Sequence, residues 1–261
     1  ELFADHYSQA RLFYASQSPA EQAHIANAFR FELTRVQTPA IRERMLALLA
    51  NVDAGLVAKV AEGLGMEVPA PLPLATDAPI PKYEPSPALS LLSRPGQTGI
   101  RTKRVAILAA SGVDGAQAQA LYASLLEDGA VPRLVGNMLG KAKAADGAML
   151  DIEISLEAGP SVMYDAVVVP DGAAAVTALA RNAHALDFLR EQYRHCKPIL
   201  LLGAGADLLA KAGIDAALPD GSADPALIVA DAAKVDAALA AFKEALAGHR
   251  AFVRETDPPA I

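Results

Sequence analysis

Four large aliphatics in a row, Ile199 to Leu202, sit between Pro198 and a Gly203-Ala204-Gly205 turn. An apolar run this short, bounded by turn residues, predicts a strand buried on both faces. Burying each such side chain contributes roughly 1.5–3 kcal/mol, which places the strand centrally in a parallel sheet. A helical pattern over 206–211 follows it. The same alternation runs from Thr102 onward. Strands are predicted at 104–110, 131–135, 165–169 and 227–229, with 151–156 as an edge strand or hairpin arm. Helical patterns at 116–127, 173–181, 183–195 and 232–247 lie between and after them. This order predicts an α/β fold: a flavodoxin-like, doubly wound parallel sheet with helices on both faces.

The first 65 residues carry a different pattern, one of helices without strands. Ser18-Pro19-Ala20-Glu21 is a capping box with proline at the first helical position. The helix it opens aligns Ile25, Phe29 and Leu33. Thr38-Pro39 starts another, with Ile41, Met45, Leu48 and Leu49 as its expected apolar face. Asp53 caps a third carrying Leu56, Val57, Val60 and Leu64, and Gly65 ends it. These helices read as the tail of a larger domain whose core lies upstream. Between 66 and 101 fall eight of the eighteen prolines, a density that forbids long helices and starves a ladder of donors. The segment is expected to be an extended linker lying against a surface through Leu72, Leu74, Ile80, Leu89, Leu91 and Leu92. The expected domains are therefore 1–65, a linker at 66–101, and 102–261.

Composition narrows the function. The chain is 52% hydrophobic and 20% charged, with a net charge of −7. An acidic balance argues against a nucleic-acid partner, which needs a basic face. No apolar run approaches the ~20 residues that span a bilayer, so no membrane partner is expected. One cysteine fits a reducing, cytoplasmic setting without a disulfide framework. The chain opens on Glu1 rather than methionine and is expected to be a fragment or processed product.

The candidate chemistry is sparse. Gly203-Ala204-Gly205 resembles the start of a dinucleotide fingerprint, but the sixth position is Leu208 and the strand is not the first of its unit. The loop Ser111 to Gly115 offers one hydroxyl where a flavin phosphate wants several. Cys196 lies beside His195 but before the strand, and no second sulfur exists for a metal site. His6, His24, His184 and His249 are scattered singly.

Two N-terminal segments carry a resemblance. The stretch from Asp5 to Gln17 (DHYSQARLFYASQ), with Glu21 through Leu33, resembles the C-terminal helices of large-subunit haem catalases. Those subunits continue through a proline-containing linker into a flavodoxin-like domain. The resemblance implies peroxide dismutation to water and oxygen at a buried haem in a homotetramer. It makes this chain the C-terminal portion, with the remainder of the subunit as its partner. The family's axial tyrosine stands four residues after an arginine; here Arg11–Tyr14 and Arg190–Tyr193 are spaced by three. Haem is therefore expected in the intact parent, and no cofactor, metal ligand or catalytic residue in this chain. The portion itself is expected to be a stabilising or assembly module with a chaperone-like surface.

The second domain also resembles the ThiJ/PfpI superfamily, related to class I glutamine amidotransferases. That family places a cysteine on the strand-to-helix elbow and a glutamate near the end of the first strand. The matching positions here are Gly203 and Gln117, which implies a vestigial elbow. Glycine forms no covalent intermediate, and an amide takes no thiol proton. No general base is expected near residue 203. The alternative function is a ThiJ/PfpI-type small-molecule hydrolase or deglycase using another nucleophile.

Overall fold

The computed structural model describes residues 4–93 and 99–259. The chain forms two compact units, Glu1–Gln97 and Thr98–Ile261.

The first unit holds four helices: α1 (Ser8–Ala15), α2 (Pro19–Thr34), α3 (Pro39–Leu49) and α4 (Ala54–Leu64). The capping box forms as the sequence requires, with Ser18 accepting from Glu21 N and Glu21 accepting from Ser18 N. Asp53 caps α4 through Leu56 N, and Gly65 ends it in the left-handed region at φ 63°. The apolar face of α3 differs from the one expected. Leu46 and Leu49 are buried, whereas Ile41 is 44% exposed. Five residues separate Ile41 from Leu46, about 140° around a helix, so the two cannot share a face. Leu46 and Leu49 pack with Tyr14, Ala26, Leu33, Leu56, Val57 and Val60 into a core belonging to this unit.

The proline-rich segment takes no α-helix or strand between 66 and 86, then makes two short 3-10 turns at Pro87–Leu89 and Leu91–Ser93. It is fastened to the helices by scattered hydrogen bonds. Leu72 N donates to Ala47 O, Asn51 Nδ2 to Leu72 O, and Ser86 N to Ser16 Oγ. Residues 94–98, the end of that predicted linker, lie outside the described residues.

In the second unit β1 (Arg104–Leu108), β2 (Val131–Gly136), β6 (Ala166–Val169), β7 (Ile199–Leu202) and β8 (Leu227–Ala230) pair parallel. Helices α5 (Gly115–Glu127), α6 (Ala173–Ala180), α7 (Ala183–Arg194), α8 (Asp207–Ala212) and α9 (Val235–Ala247) connect or follow them. With the edge strand β5 (Ile154–Ser155), the sheet order is β5-β2-β1-β6-β7-β8. Without the two-residue β5, this is the 2-1-3-4-5 order of a flavodoxin-like fold. The run Ile199–Leu202 is fully buried, yet it lies second from the edge and not centrally. The β8 ladder covers its outer side, so burial of a strand does not require the middle of the sheet. The predicted stretch 151–156 divides in two. Its first residues join β4 (Met149–Ile152), a hairpin arm against β3 (Gly140–Lys143), and its last form β5 on the sheet edge.

Candidate functional site

In an open parallel sheet the crevice forms at the carboxyl ends of the strands where the winding reverses, here between β1 and β6. Three turns meet there: the loop from Ala109 to Asp114, the Pro170-Asp171-Gly172 turn after β6, and Gly203 after β7. Gly203 has φ 52°, a conformation that side chains other than glycine's strain to adopt. A Cβ built on it would lie 2.6 Å from Oδ2 of Asp171 and closer still to Cγ. The Asp171 carboxylate thus occupies the space into which an elbow side chain would project. Its Oδ1 accepts from Ala204 N at 2.8 Å and from Gly172 N at 2.7 Å. No general base was expected near residue 203, yet a carboxylate, a group of that kind, stands beside it. Parallel pairing of β6 with β7 brings the two turns together across the sheet end.

Gln117 arrives at the same place. Asp114 caps α5 by accepting from Gln117 N at 2.9 Å. Gln117 Oε1 then accepts from Asp171 N at 2.7 Å, while Asp171 O accepts from Asp114 N at 2.8 Å. Gln117, Asp171 and Gly203 form one hydrogen-bonded and steric cluster in which Gln117 Oε1 and Asp171 Oδ1 are already engaged. Sequence reasoning missed Asp171. The signal was a proline-aspartate-glycine turn directly after a buried strand, the same position in its βα unit that Gly203 holds in the next.

The surrounding backbone closes the crevice. Gly112 N donates to Lys143 O at 2.8 Å, and Ala145 N donates to Val113 O at 2.9 Å, so the segment around the β3–β4 hairpin is stitched to the first loop. A Cβ on Gly115 would come within 2.7 Å of Ala144 Cβ, and one on Gly172 within 2.7 Å of Val113 Cα. At Gly172 the turns touch backbone to backbone, a proximity only glycine allows. Gln117, Asp171 and Gly203 offer no hydroxyl or thiol nucleophile, and the one hydroxyl in the three turns, that of Ser111, belongs to an exposed residue.

Cys196 stands at the opposite end of β7. It is 1% exposed and sits in the left-handed region at φ 58°. Burial, with the Glu255 carboxylate adding to it, pushes the thiol up to about 11. A thiol held neutral is a poor nucleophile and a poor metal ligand. The neighbouring His195 ring turns away to Glu191, its Nε2 3.2 Å from Oε2. Among the described residues no cluster of three or more His, Cys, Asp or Glu side chains could hold a metal ion. No helix among them is long and apolar enough to cross a membrane.

Comparison with known proteins gives a coherent set of relatives. The family described as the C-terminal domain found in long catalases matches residues 101–256, and one described as catalase-related immune-responsive matches residues 1–64. Catalase C of Rhizobium meliloti is 43% identical over 222 residues, covering 85% of this chain and 31% of that protein. Catalase HPII of Pseudomonas putida is 40% identical over 262 residues, 100% of this chain and 35% of the relative. Catalase-1 of Neurospora crassa is 34% identical over 213 residues, 80% and 28% respectively. The chain spans about a third of the length of the curated relatives it matches.

Proposed function

Because the chain belongs to the long, large-subunit catalases, as a C-terminal portion of such a subunit, we propose that the whole subunit dismutates hydrogen peroxide at a haem within a homotetramer. In that division of labour this portion stabilises and helps assemble the enzyme and carries no chemistry itself. Residues 1–65 are the last helices of the catalytic core, 66–101 the linker, and 102–261 the appended domain.

The donor chemistry of the chain supports this reading, because its residues do not fit a haem. Arg11 donates Nε to Asn51 O. Burial, with Asp53 adding to it, raises the Tyr14 phenol above its ordinary value, against the ionisation an axial tyrosine needs. Cys196 is held neutral as described above. No step of peroxide chemistry is therefore routed through these residues.

The observation that carries the reading for the appended domain is Asp171 in the place of an elbow side chain at Gly203. A hydrolase or deglycase of the ThiJ/PfpI type needs a nucleophile there, and the volume is taken by a carboxylate whose Oδ1 is engaged by backbone N–H groups. The fold is retained and the chemistry is absent. Each unit also exposes large apolar side chains, among them Phe31 and Leu91 in the first and Met138 and Val162 in the second. These suit contact with the remainder of the subunit and a chaperone-like hold on unfolding chains.

The test is the rate of irreversible inactivation at raised temperature for the full-length subunit with and without residues 102–261, at equal haem occupancy. A shorter half-life for the truncated enzyme is expected, since an interdomain contact of ordinary size, roughly 600–1,500 Å², is lost. Equal half-lives would overturn the stabilising role. Stoichiometric haem uptake by residues 1–261 alone, with rapid oxygen release from peroxide, would overturn the assignment of the chemistry elsewhere.

A further inference from the structure

The segment that leads from α7 into β7 is bound along its length by the stretch that follows α9. Three consecutive carbonyls are taken up. The Arg250 guanidinium donates to His195 O, Ala251 N donates to Cys196 O at 2.8 Å, and the Arg254 guanidinium donates to Lys197 O at 2.7 Å. Neither stretch is part of a helix or ladder that would require this: residues 195–197 lie between α7 and β7, and 249–255 contain one 3-10 turn, Phe252–Arg254. Carbonyls of a connecting segment normally face water. Three in a row bonded by one distant stretch make that stretch a fitted cover.

The middle of the covered segment is Cys196, the one cysteine of the chain. It is buried, and Arg250, Arg254 and Glu255 of the tail all act electrostatically on its thiol. Its Sγ makes a weak contact with Arg194 O at 3.9 Å. The tail over it is thin. Of residues 247–259 only Arg254 is buried, and Val253 beside it is 60% exposed. Arg254 is the deep anchor, its Nε 2.6 Å from Asp224 Oδ2. A terminal stretch held by one buried side chain opens as a unit of its own, at lower cost than unfolding of the sheet.

Opening changes the chemistry of the sulfur. Burial is the main cause that holds the thiol neutral. Once water reaches it, the thiolate forms and attacks hydrogen peroxide: sulfur takes one oxygen, the O–O bond breaks, and the other oxygen leaves as hydroxide. The product is a sulfenic acid, sulfur oxidised by two electrons and peroxide reduced.

We propose that the C-terminal tail, residues 249–255, is a seal latched by Arg254 that keeps Cys196 from peroxide and other thiol oxidants, and that the thiol is reached by lifting the tail and not by unfolding the sheet. The value of such a seal to a peroxide-degrading subunit rests on the function proposed above; the seal itself does not.

The experiment measures the rate at which Cys196 in residues 1–261 reacts with an aromatic disulfide reagent, and in parallel its oxidation by hydrogen peroxide, read by mass spectrometry. Arg254→Met is compared with Gly203→Ala, which destabilises the same unit from the other end of β7 and touches no tail contact. Arg254→Met should react about a hundredfold faster than the unsubstituted chain, and Gly203→Ala within about threefold of it. In the unsubstituted chain the rate should stay nearly level with urea below the unfolding transition, a measurement that holds even if Arg254→Met does not fold. Equal acceleration by the two variants would overturn the seal. So would a rate that climbs with urea in step with global unfolding, or prompt reaction of the unsubstituted chain. Acceleration with the disulfide reagent but none with peroxide would overturn the role against peroxide. None of these readouts involves haem or thermal inactivation of the full-length subunit, so the seal and the stabilising role fail separately.

Discussion

Asp171 and Gly203 compete for one volume. They lie at the ends of adjacent parallel strands, and the aspartate oxygen that reaches Ala204 N does so across 33 positions of sequence. The glycine is needed twice over, once for its φ of 52° and once for the carboxylate packed against its α-carbon.

Gly203→Ala should destabilise the second unit by about 2–5 kcal/mol, the sum of a left-handed penalty and an overpacking term. This exceeds the roughly 1–2 kcal/mol expected from the turn conformation alone. Repeating the substitution in an Asp171→Ala background should recover the overpacking share and leave the conformational one. Urea unfolding of the four proteins measures the coupling. Additive losses would show that the two residues do not share the space. Gly203→Cys, even beside the Asp171 carboxylate, should bring misfolding rather than hydrolase activity.

Glu21 is predicted to fasten the proline-rich segment in a pH-dependent way. Burial alone would raise its carboxyl, but hydrogen bonds from Ser18, Ser90 and Leu92 N hold it down to about 2, against an ordinary 4.5. Its folded pKa is depressed, so its contribution is complete above about 4.5 and disappears as pH falls toward 2. Unfolding midpoints of the unsubstituted chain and Glu21→Gln should differ at neutral pH and converge in acid. A difference that stays constant from pH 7 to pH 2 would contradict this.

These two sites differ in how far the sequence announced them. The capping box at Ser18 and Glu21 is written in four consecutive residues, and the buried run Ile199–Leu202 in four more. Each needs only local geometry, and both were legible. Gly203 and Gln117 were legible as positions through resemblance, but their surroundings were not, because Asp171 joins them only after β6 and β7 pair. One arm of the β3–β4 hairpin was foreseen within 151–156, but β3 escaped notice because its alternation is carried by Ala142 between two lysines, a weak apolar signal. The face of α3 was misread because Ile41 is large and apolar yet lies on the wrong side of the helix.

Lys197 provides a second pH-dependent prediction, of the same sense but in the alkaline range. It is 4% exposed, its Nζ donates to Ser161 O at 2.9 Å, and burial, aided by Arg250, lowers it from 10.5 to about 8. Between those two values the unfolded chain binds the proton and the folded chain does not, so stability should rise with pH from about 8 to about 10.5. Lys197→Met should remove that slope. An unchanged slope in the variant would assign it to another group.

Arg254 and Asp224 form the most deeply buried ion pair among the described residues. Nε lies 2.6 Å from Oδ2, a second nitrogen lies 3.1 Å from Oδ1, and each side chain is 1% exposed. The guanidinium also donates to Lys197 O at 2.7 Å and stacks 4.8 Å from the Tyr193 ring centroid. One side chain thus ties the C-terminal turn to the start of β7 and to the loop that leads into β8. Removing Arg254 alone leaves a carboxylate buried without its counter-charge, which costs about 3–5 kcal/mol. Arg254→Met should therefore be among the most destabilising single changes in the second unit. Asp224→Leu combined with it should recover a large part of the loss, because the stranded charge is gone; Ala226 N, which donates to Asp224 Oδ1 at 2.9 Å, keeps the recovery incomplete. Chemical denaturation of the two single variants and the double variant supplies the cycle. If the double variant is as unstable as the sum of the singles, the pair is uncoupled, and the C-terminal turn is held by its other contacts.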